Sequence, residues 1–292
     1  MMAVAEQPPY ERKSHKLAIR HAISWIGTAT TAVCASIGAI CLLIILGYVA
    51  IQGAGAINWS FLTQLPAPVG ETGGGVANGI IGTVMTVGLA TIIATPLGLL
   101  CALFLAFFGR GWMPEVVRFL SDVLSGIPSI AIGLFAYILW VAPFKHFSAV
   151  SASFAFALLM LPIILRTSEE AIRSVPRTIR EGALALGLSE VVTTLVIVVP
   201  AARTAIITGL LLSIARVTGE TAPLLFTAFG SPFWETNPGN PMAQLPLQVF
   251  NYAISPYQSW HQIAWGGALF LILAVLVLNI LARLVLTARF NR

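Results

Sequence analysis

The chain has 292 residues, of which 58% are hydrophobic and only 9% charged, with seven tryptophans and a mean hydropathy of +0.90. A soluble domain keeps its apolar share nearer one half, so this composition excludes one and indicates an integral membrane protein. Its apolar runs last about twenty residues instead of alternating at every second position, which selects helices over a β-barrel. The net charge of +5 and pI near 9.4 would point to nucleic acid in a soluble chain. Here they reflect the arginines and lysines that membrane proteins gather in cytoplasmic loops, and nucleic acid is not an expected partner. Cys34, Cys41 and Cys101 fall inside apolar segments, where thiols pack as small hydrophobes and say nothing about redox compartment.

Residues 1–21 read as a polar cytoplasmic tail carrying Arg12, Lys13, Lys16 and Arg20, with Pro8 and Pro9 favouring disorder near its start. The apolar run after it is too long for a signal-peptide core and lacks a small-residue cleavage site, so it is a retained first span over 22–51. Gly27, Gly38 and Gly47 would let a neighbouring helix approach it closely. The segment 52–78 is rich in Gly and Pro, has no Lys or Arg and belongs outside. A second span over 79–108, kinked at Pro96, leads to an inner loop with Arg110, Glu115 and Arg118. The third span, 119–141, opens with Asp122 and SGIPSIAIGLF, where Pro128 breaks the helix. A short outer loop with Lys145 and His146 precedes the fourth span, 151–165, which is short for a crossing and has Pro162 near its inner end.

The stretch 166–200 is abruptly polar and sets Arg166, Arg173, Arg177 and Arg180 against Glu169, Glu170, Glu181 and Glu190. Such a concentration of charge in this chain reads as a cytoplasmic docking surface. Thr167 and Glu170 fit a capping box, starting a short helix that Pro176 ends; Pro176 then suits the start of a second helix. There Val175, Ile179, Ala183 and Leu186 recur on one face while Arg177, Arg180 and Glu181 lie elsewhere, the pattern of a helix lying along a surface. Gly187 can end it in a left-handed cap, and Ser189 can cap the next segment with Glu190 at its positive end.

Two registers fit the fifth span. A helix from 191 to Arg216 would be about 39 Å long and leave Arg216 outside the hydrocarbon; one over 203–230 leaves Arg216 about 20 Å along, near mid-membrane. The second is preferred, because Arg203 then anchors the inner face and 231–258 becomes an outer loop. The last span, 263–286, exits at Arg283, Arg289 and Arg292. Of sixteen basic residues, only Lys145 and Arg216 then fall away from the inner side, which predicts six transmembrane helices with both termini cytoplasmic. The all-α chain reads as one polytopic membrane domain over 22–292, with a peripheral first helix (22–51), a core over about 75–290 and a cytoplasmic loop at 166–200.

No GxxxxGK[ST] motif is present, and Lys13, Lys16 and Lys145 are the only lysines, so no P-loop can be built. His15, His21, His146 and His261 have no ligand spacing and Asp122 is the single aspartate, which leaves no metal or hydrolytic site to expect. The glycine run around 73–79 precedes a membrane helix instead of following a strand, so it reads as a flexible re-entry loop, not a phosphate cradle. Within 213–230, an arginine at mid-membrane costs about 2.5–3.5 kcal/mol on insertion scales and faces either a water-filled path or a partner. Glu220 stands four residues after Arg216, the spacing of an intrahelical ion pair, while Gly219 and Pro223 favour unwinding. Guanidinium geometry suits phosphate, yet the same pair also fits a purely structural contact with a second subunit.

Glu181, Gly182 and Ala183, followed by Gly187, Ile197 and Pro200, resemble the EAA loop of bacterial ABC-importer permeases. Gly182, where Ala is usual, weakens the helix by about 0.5–1 kcal/mol, and Val199 stands where Leu is usual. GGGVANGIIGT, SGIPSIAIGLF and ARVTGETAPLLFTA resemble the phosphate-specific permeases of the PstA type over about 70–290. The resemblance implies a type I importer (MetI-like) fold in a bacterial cytoplasmic membrane, with Arg216 and Glu220 in the substrate path. It places ATPase coupling at Arg180, Glu181, Gly182, Ala183, Gly187 and Pro200. It also implies a homologous second permease (PstC type), two ATPase subunits (PstB type) holding ATP and Mg, an extracytoplasmic phosphate-binding protein (PstS type) and surrounding lipid, with no cofactor or catalysis on this chain. The alternatives are a permease for another oxyanion such as sulfate or molybdate, and an anion channel or scaffold independent of nucleotide.

Overall fold

The computed structural model describes residues 11–68, 71, 73–107 and 111–288. Pro8 and Pro9, Arg110, Arg289 and Arg292 lie outside the described residues. The chain divides into two compact units, 1–51 and 52–292. Helix α1, Glu11–Gly53, supplies the first and is apolar on nearly every side, with Ile37, Leu43 and Ile44 exposed. Its Thr28, Thr30, Thr31 and Ser36 donate their hydroxyls to carbonyls one turn back, which satisfies those four groups where lipid would meet them.

The second unit contains α2 (Trp59–Thr63), α3 (Ala77–Phe107), α4 (Trp112–Gly126), α5 (Ser129–Phe144), α6 (Ala149–Arg173), α7 (Arg177–Ala185), α8 (Glu190–Thr218), α9 (Leu224–Thr227), α10 (Leu245–Ala253) and α11 (Gln258–Ala288). Among the described residues five helices are long and apolar enough to cross a membrane, and a sixth crossing is counted if α4 and α5 form one span. Helix α6 is the hub: α3, α8 and α5 pack on it, and Ala152, Ala155, Phe156, Met160 and Ile164 fill the seams. Small residues set the spacing. Gly209 of α8 sits so close to the Thr167 side chain that no Cβ fits, and Gly133 of α5 meets the Pro223 backbone in the same way.

Three expectations are corrected. The fourth span does not end at 165: α6 continues to Arg173, and Thr167 is interior, its hydroxyl donating to Ile163 O at 2.8 Å, instead of capping a new helix. The charge after 165 does not stop the helix because Arg166, Glu169 and Arg173 share one face at three- and four-residue spacing and neutralise one another. The fifth helix begins at Glu190, capped by Ser189, and ends at Thr218, which is close to the 191–216 alternative and not the preferred 203–230. Arg216 still falls within the bundle, because Gly209 lies against Thr167 and the first turns of α8 extend past the end of α6 at Arg173. Pro200 is absorbed by a wide turn over Thr194–Val198 in which Val199 N–H reaches back to Thr194 O.

The third span breaks where Pro128 was expected to break it: the helices on either side of Ile127 and Pro128, α4 and α5, meet at 104°. Finally, the glycine-rich segment is anchored, not a flexible loop. Gly75 N–H donates to Leu65 O at 2.9 Å, and Gly79 and Gly82 press against Gln248, Leu245 and Ala243 with no space for a side chain. The segment 231–258 is likewise folded back: α10 packs on α3 and α11, and Leu245 N–H donates to the Thr83 hydroxyl at 2.8 Å.

Candidate functional site

The polar loop between α6 and α8 is built from three local rules. Pro176, extended, ends one helix and precedes α7; Gly187 at φ +87 closes α7; Ser189 accepts from Val192 N–H to open α8. Gly187 N–H binds Leu184 O and Leu188 N–H binds Ala183 O, a Schellman cap that requires the left-handed residue. On α7, Ala183 is buried while Glu181 and Gly182 face outward, and a Cβ at Gly182 would stand in open space. Leu186 projects at 86% exposure beside Ile179 and Leu188, an apolar tip unusual for a solvent-facing turn. Arg180 turns the other way, over the Phe107 ring at 5.0 Å and to Glu190 at 3.0 Å, so it fixes α7 against α3 and α8. Pro200 lies exposed in the first part of α8.

The second centre lies at the far end of α8. Gly209 is level with Thr167; seven residues on, about 10 Å along the antiparallel α6, Arg216 stands near the level of Met160, halfway along α6. Val217, its neighbour, is wholly buried in the same cluster as Met160 and Ala157. Helix α8 stops there at Gly219, and 219–230 continues as an unwound segment broken by α9. Arg216 Nε lies 3.8 Å from Glu220 Oε1, with the Arg216 side chain 47% and the Glu220 side chain 23% exposed. That separation is beyond hydrogen-bond range, so the pair is loose and the fork of guanidinium donors remains available. The segment is then pinned at Thr227, whose carbonyl accepts from Ser148 N–H and the Ser151 hydroxyl. Phe229, left-handed at φ +60, stacks on Phe147 at 4.9 Å. Sequence reading missed this aromatic contact and the left-handed Phe229.

A family model described as binding-protein-dependent transport system inner membrane component matches residues 94–289. The phosphate transport system permease protein PstA of Yersinia pestis is 43% identical over 235 residues, 80% of each chain. Its namesake in Haemophilus influenzae is 44% identical over 235 residues, 80% of this chain and 83% of that one. The chain belongs to the PstA-type inner-membrane permeases. PstA 1 of Mycobacterium tuberculosis is more distant within that type, 39% identical over 243 residues covering 82% of this permease and 78% of that one. An inward-facing structure of the MetNI methionine ABC transporter matches with a TM-score of 0.63 over 73% of this chain and 95% of that one; at 14% identity the likeness concerns the fold alone.

The permease also holds a charged cluster where the polar loop joins the bundle. Glu169, its side chain 4% exposed, pairs with Arg118 at 2.9 Å and Arg173 at 3.1 Å, and Arg166 approaches its second oxygen at 3.8 Å. Arg173 also donates to Leu105 O at 3.1 Å, and Arg166 reaches Asp122 at 2.6 Å. The cluster thus ties the end of α3, the middle of α4 and the last turns of α6 just where the polar loop begins. Arg166 and Arg173 at three and four residues from Glu169 were the legible part; Arg118 comes from a different helix and gave no local signal.

Proposed function

We propose that this chain is the permease subunit of an ATP-driven importer that carries inorganic phosphate into the cytoplasm, with both termini and the 166–200 loop on the cytoplasmic side. The observation that carries the reading is Arg216: a guanidinium at mid-height, at the broken end of a helix, with a single loose carboxylate neighbour and an open face. A phosphate oxyanion can take two parallel N–H donors from it and displace Glu220, exchanging a weak pair for charge-assisted hydrogen bonds. Because Arg216 faces away from its own bundle, a homologous second permease of the PstC type completes the path. The relatives named as phosphate transport permeases support this choice of anion.

Energy enters at the other end of α8. The exposed Glu181, Gly182 and Leu186 form the face offered to a PstB-type ATPase, one of two that hold ATP and Mg, while Ala183, Gly187 and Pro200 shape the loop behind it. Arg180 acts as a positioning residue through Phe107 and Glu190. A PstS-type binding protein delivers phosphate from outside. This chain supplies no catalytic group; its role is to convert loop movement into altered access at Arg216.

Uptake of radiolabelled phosphate by the assembled complex in liposomes tests the reading. A large molar excess of sulfate is expected to leave the rate unchanged. Strong competition by sulfate or molybdate would assign the path to a different oxyanion.

A further inference from the structure

Helix α4 does not have the surface of an upright span. An upright helix at the edge of a bundle has two sides, one on protein and one on lipid; α4 has three. Placed at about 100° per residue, Trp112, Val116, Phe119, Leu120 and Val123 share one broad arc, and all are exposed. Pro114 and Ser121 mark a second arc that is buried against the bundle, and Arg118 beside them reaches Glu169. Glu115 and Asp122 mark a third, exposed arc between the buried one and the apolar one. Protein, water and hydrocarbon are thus met on three different sides, the surface of a helix lying in an interface.

Its placement agrees. Arg118 contacts Glu169 and Asp122 contacts Arg166, both in the last two turns of α6, and Arg118 also reaches Leu105 O near the end of α3. Helix α4 therefore sits at the loop-bearing end of the bundle, and the 104° break sets it nearly perpendicular to α5. Beyond the break, α5 likewise exposes Ile130, Leu134, Phe135 and Ile138.

From these observations we infer that α4 lies flat in the bilayer leaflet on the loop side, its apolar arc seated among acyl chains and its Glu115 and Asp122 arc in water. Lipid is its occupant because an apolar arc opposite the protein contact, on a helix of a membrane-spanning bundle, meets acyl chains, while the acidic arc at the side between them meets water. Through Arg118 and Glu169 the helix is fastened to α6 immediately before the polar loop, so packing in that leaflet bears on the segment that moves.

The test is site-directed spin labelling of the assembled complex in liposomes, with Cys34, Cys41 and Cys101 replaced by alanine and phosphate uptake retained. Labels at Met113, Val116, Leu120 and Val123 are expected to be reached by oxygen, shielded from a water-soluble nickel reagent, and equal in depth just beneath the headgroups. A label at Glu115 is expected to show the reverse accessibility. A depth gradient approaching about 15 Å from 113 to 123 would make α4 an upright span. Exclusion of both reagents from the apolar arc would assign it to a protein neighbour such as the second permease; either result overturns the inference. Where one label blocks assembly, the remaining positions on the arc read the same depth.

Discussion

Replacing Arg216 by glutamine is expected to abolish phosphate uptake while the complex still assembles. Glutamine keeps much of the side-chain bulk and hydrogen-bonding character but removes the charge and the forked donor pair. Two charge-assisted hydrogen bonds at about 1.5–3 kcal/mol each amount to at least 3 kcal/mol, or about a hundredfold or more in transport rate. Assembly is expected to survive, because the pair with Glu220 is loose at 3.8 Å and the side chain half exposed, a geometry that contributes little to stability. Arg216→Lys keeps the charge without the planar fork and is expected to retain only partial uptake. Uptake and recovery of the partner subunits are measured on the same preparation. Wild-type uptake in Arg216→Gln, or loss of the partners, would give Arg216 a packing role in place of a path role.

Glu169→Ala is expected to have the largest effect on stability. Removing the carboxylate leaves Arg118 and Arg173 converging on Leu105 O with no anion between them, and such a broken buried pair costs about 3–5 kcal/mol. The arginines reach solvent in part, which places the expected loss near the lower value of about 3 kcal/mol. It is read as a fall in the thermal midpoint of the detergent-solubilised complex. Asp122→Ala is the comparison: its carboxylate is 60% exposed in the pair with Arg166, and its loss is expected to lower the midpoint little. Equal midpoints for wild type and Glu169→Ala would remove the cluster from the structural account.

The elements that announce themselves locally were legible from the sequence. Gly187 at a left-handed cap, Ser189 at a helix start and Pro128 at a break follow from backbone sterics and orphaned amides, which depend on neighbours in the chain. What failed depended on distant partners. Thr167 and Glu170 matched a capping pattern, but Gly209 packing on Thr167 and the Arg118 contact to Glu169 hold that stretch inside α6. Starting the fifth helix at 203 relied on Arg203 as an anchor and treated Pro200 as a boundary; a wide turn at 194–198 removes that boundary. At the candidate site, Arg216 and Glu220 were visible through their spacing, whereas Phe147 and Phe229 come from before and after α6 in the chain and share no local pattern.

In the proposed function, movement at the loop changes access at Arg216, some 39 Å away along α8. The most direct measurement is ATP-driven accumulation of radiolabelled phosphate in proteoliposomes carrying Glu181→Lys, with ATP hydrolysis followed in parallel. Glu181 is exposed and makes no hydrogen bond or ion pair among the described residues, so a reversed charge there is expected to act on the docked ATPase. The account predicts that phosphate accumulation disappears and hydrolysis no longer responds to phosphate-loaded binding protein, with the membrane subunits intact. Undiminished ATP-driven accumulation in Glu181→Lys would contradict it.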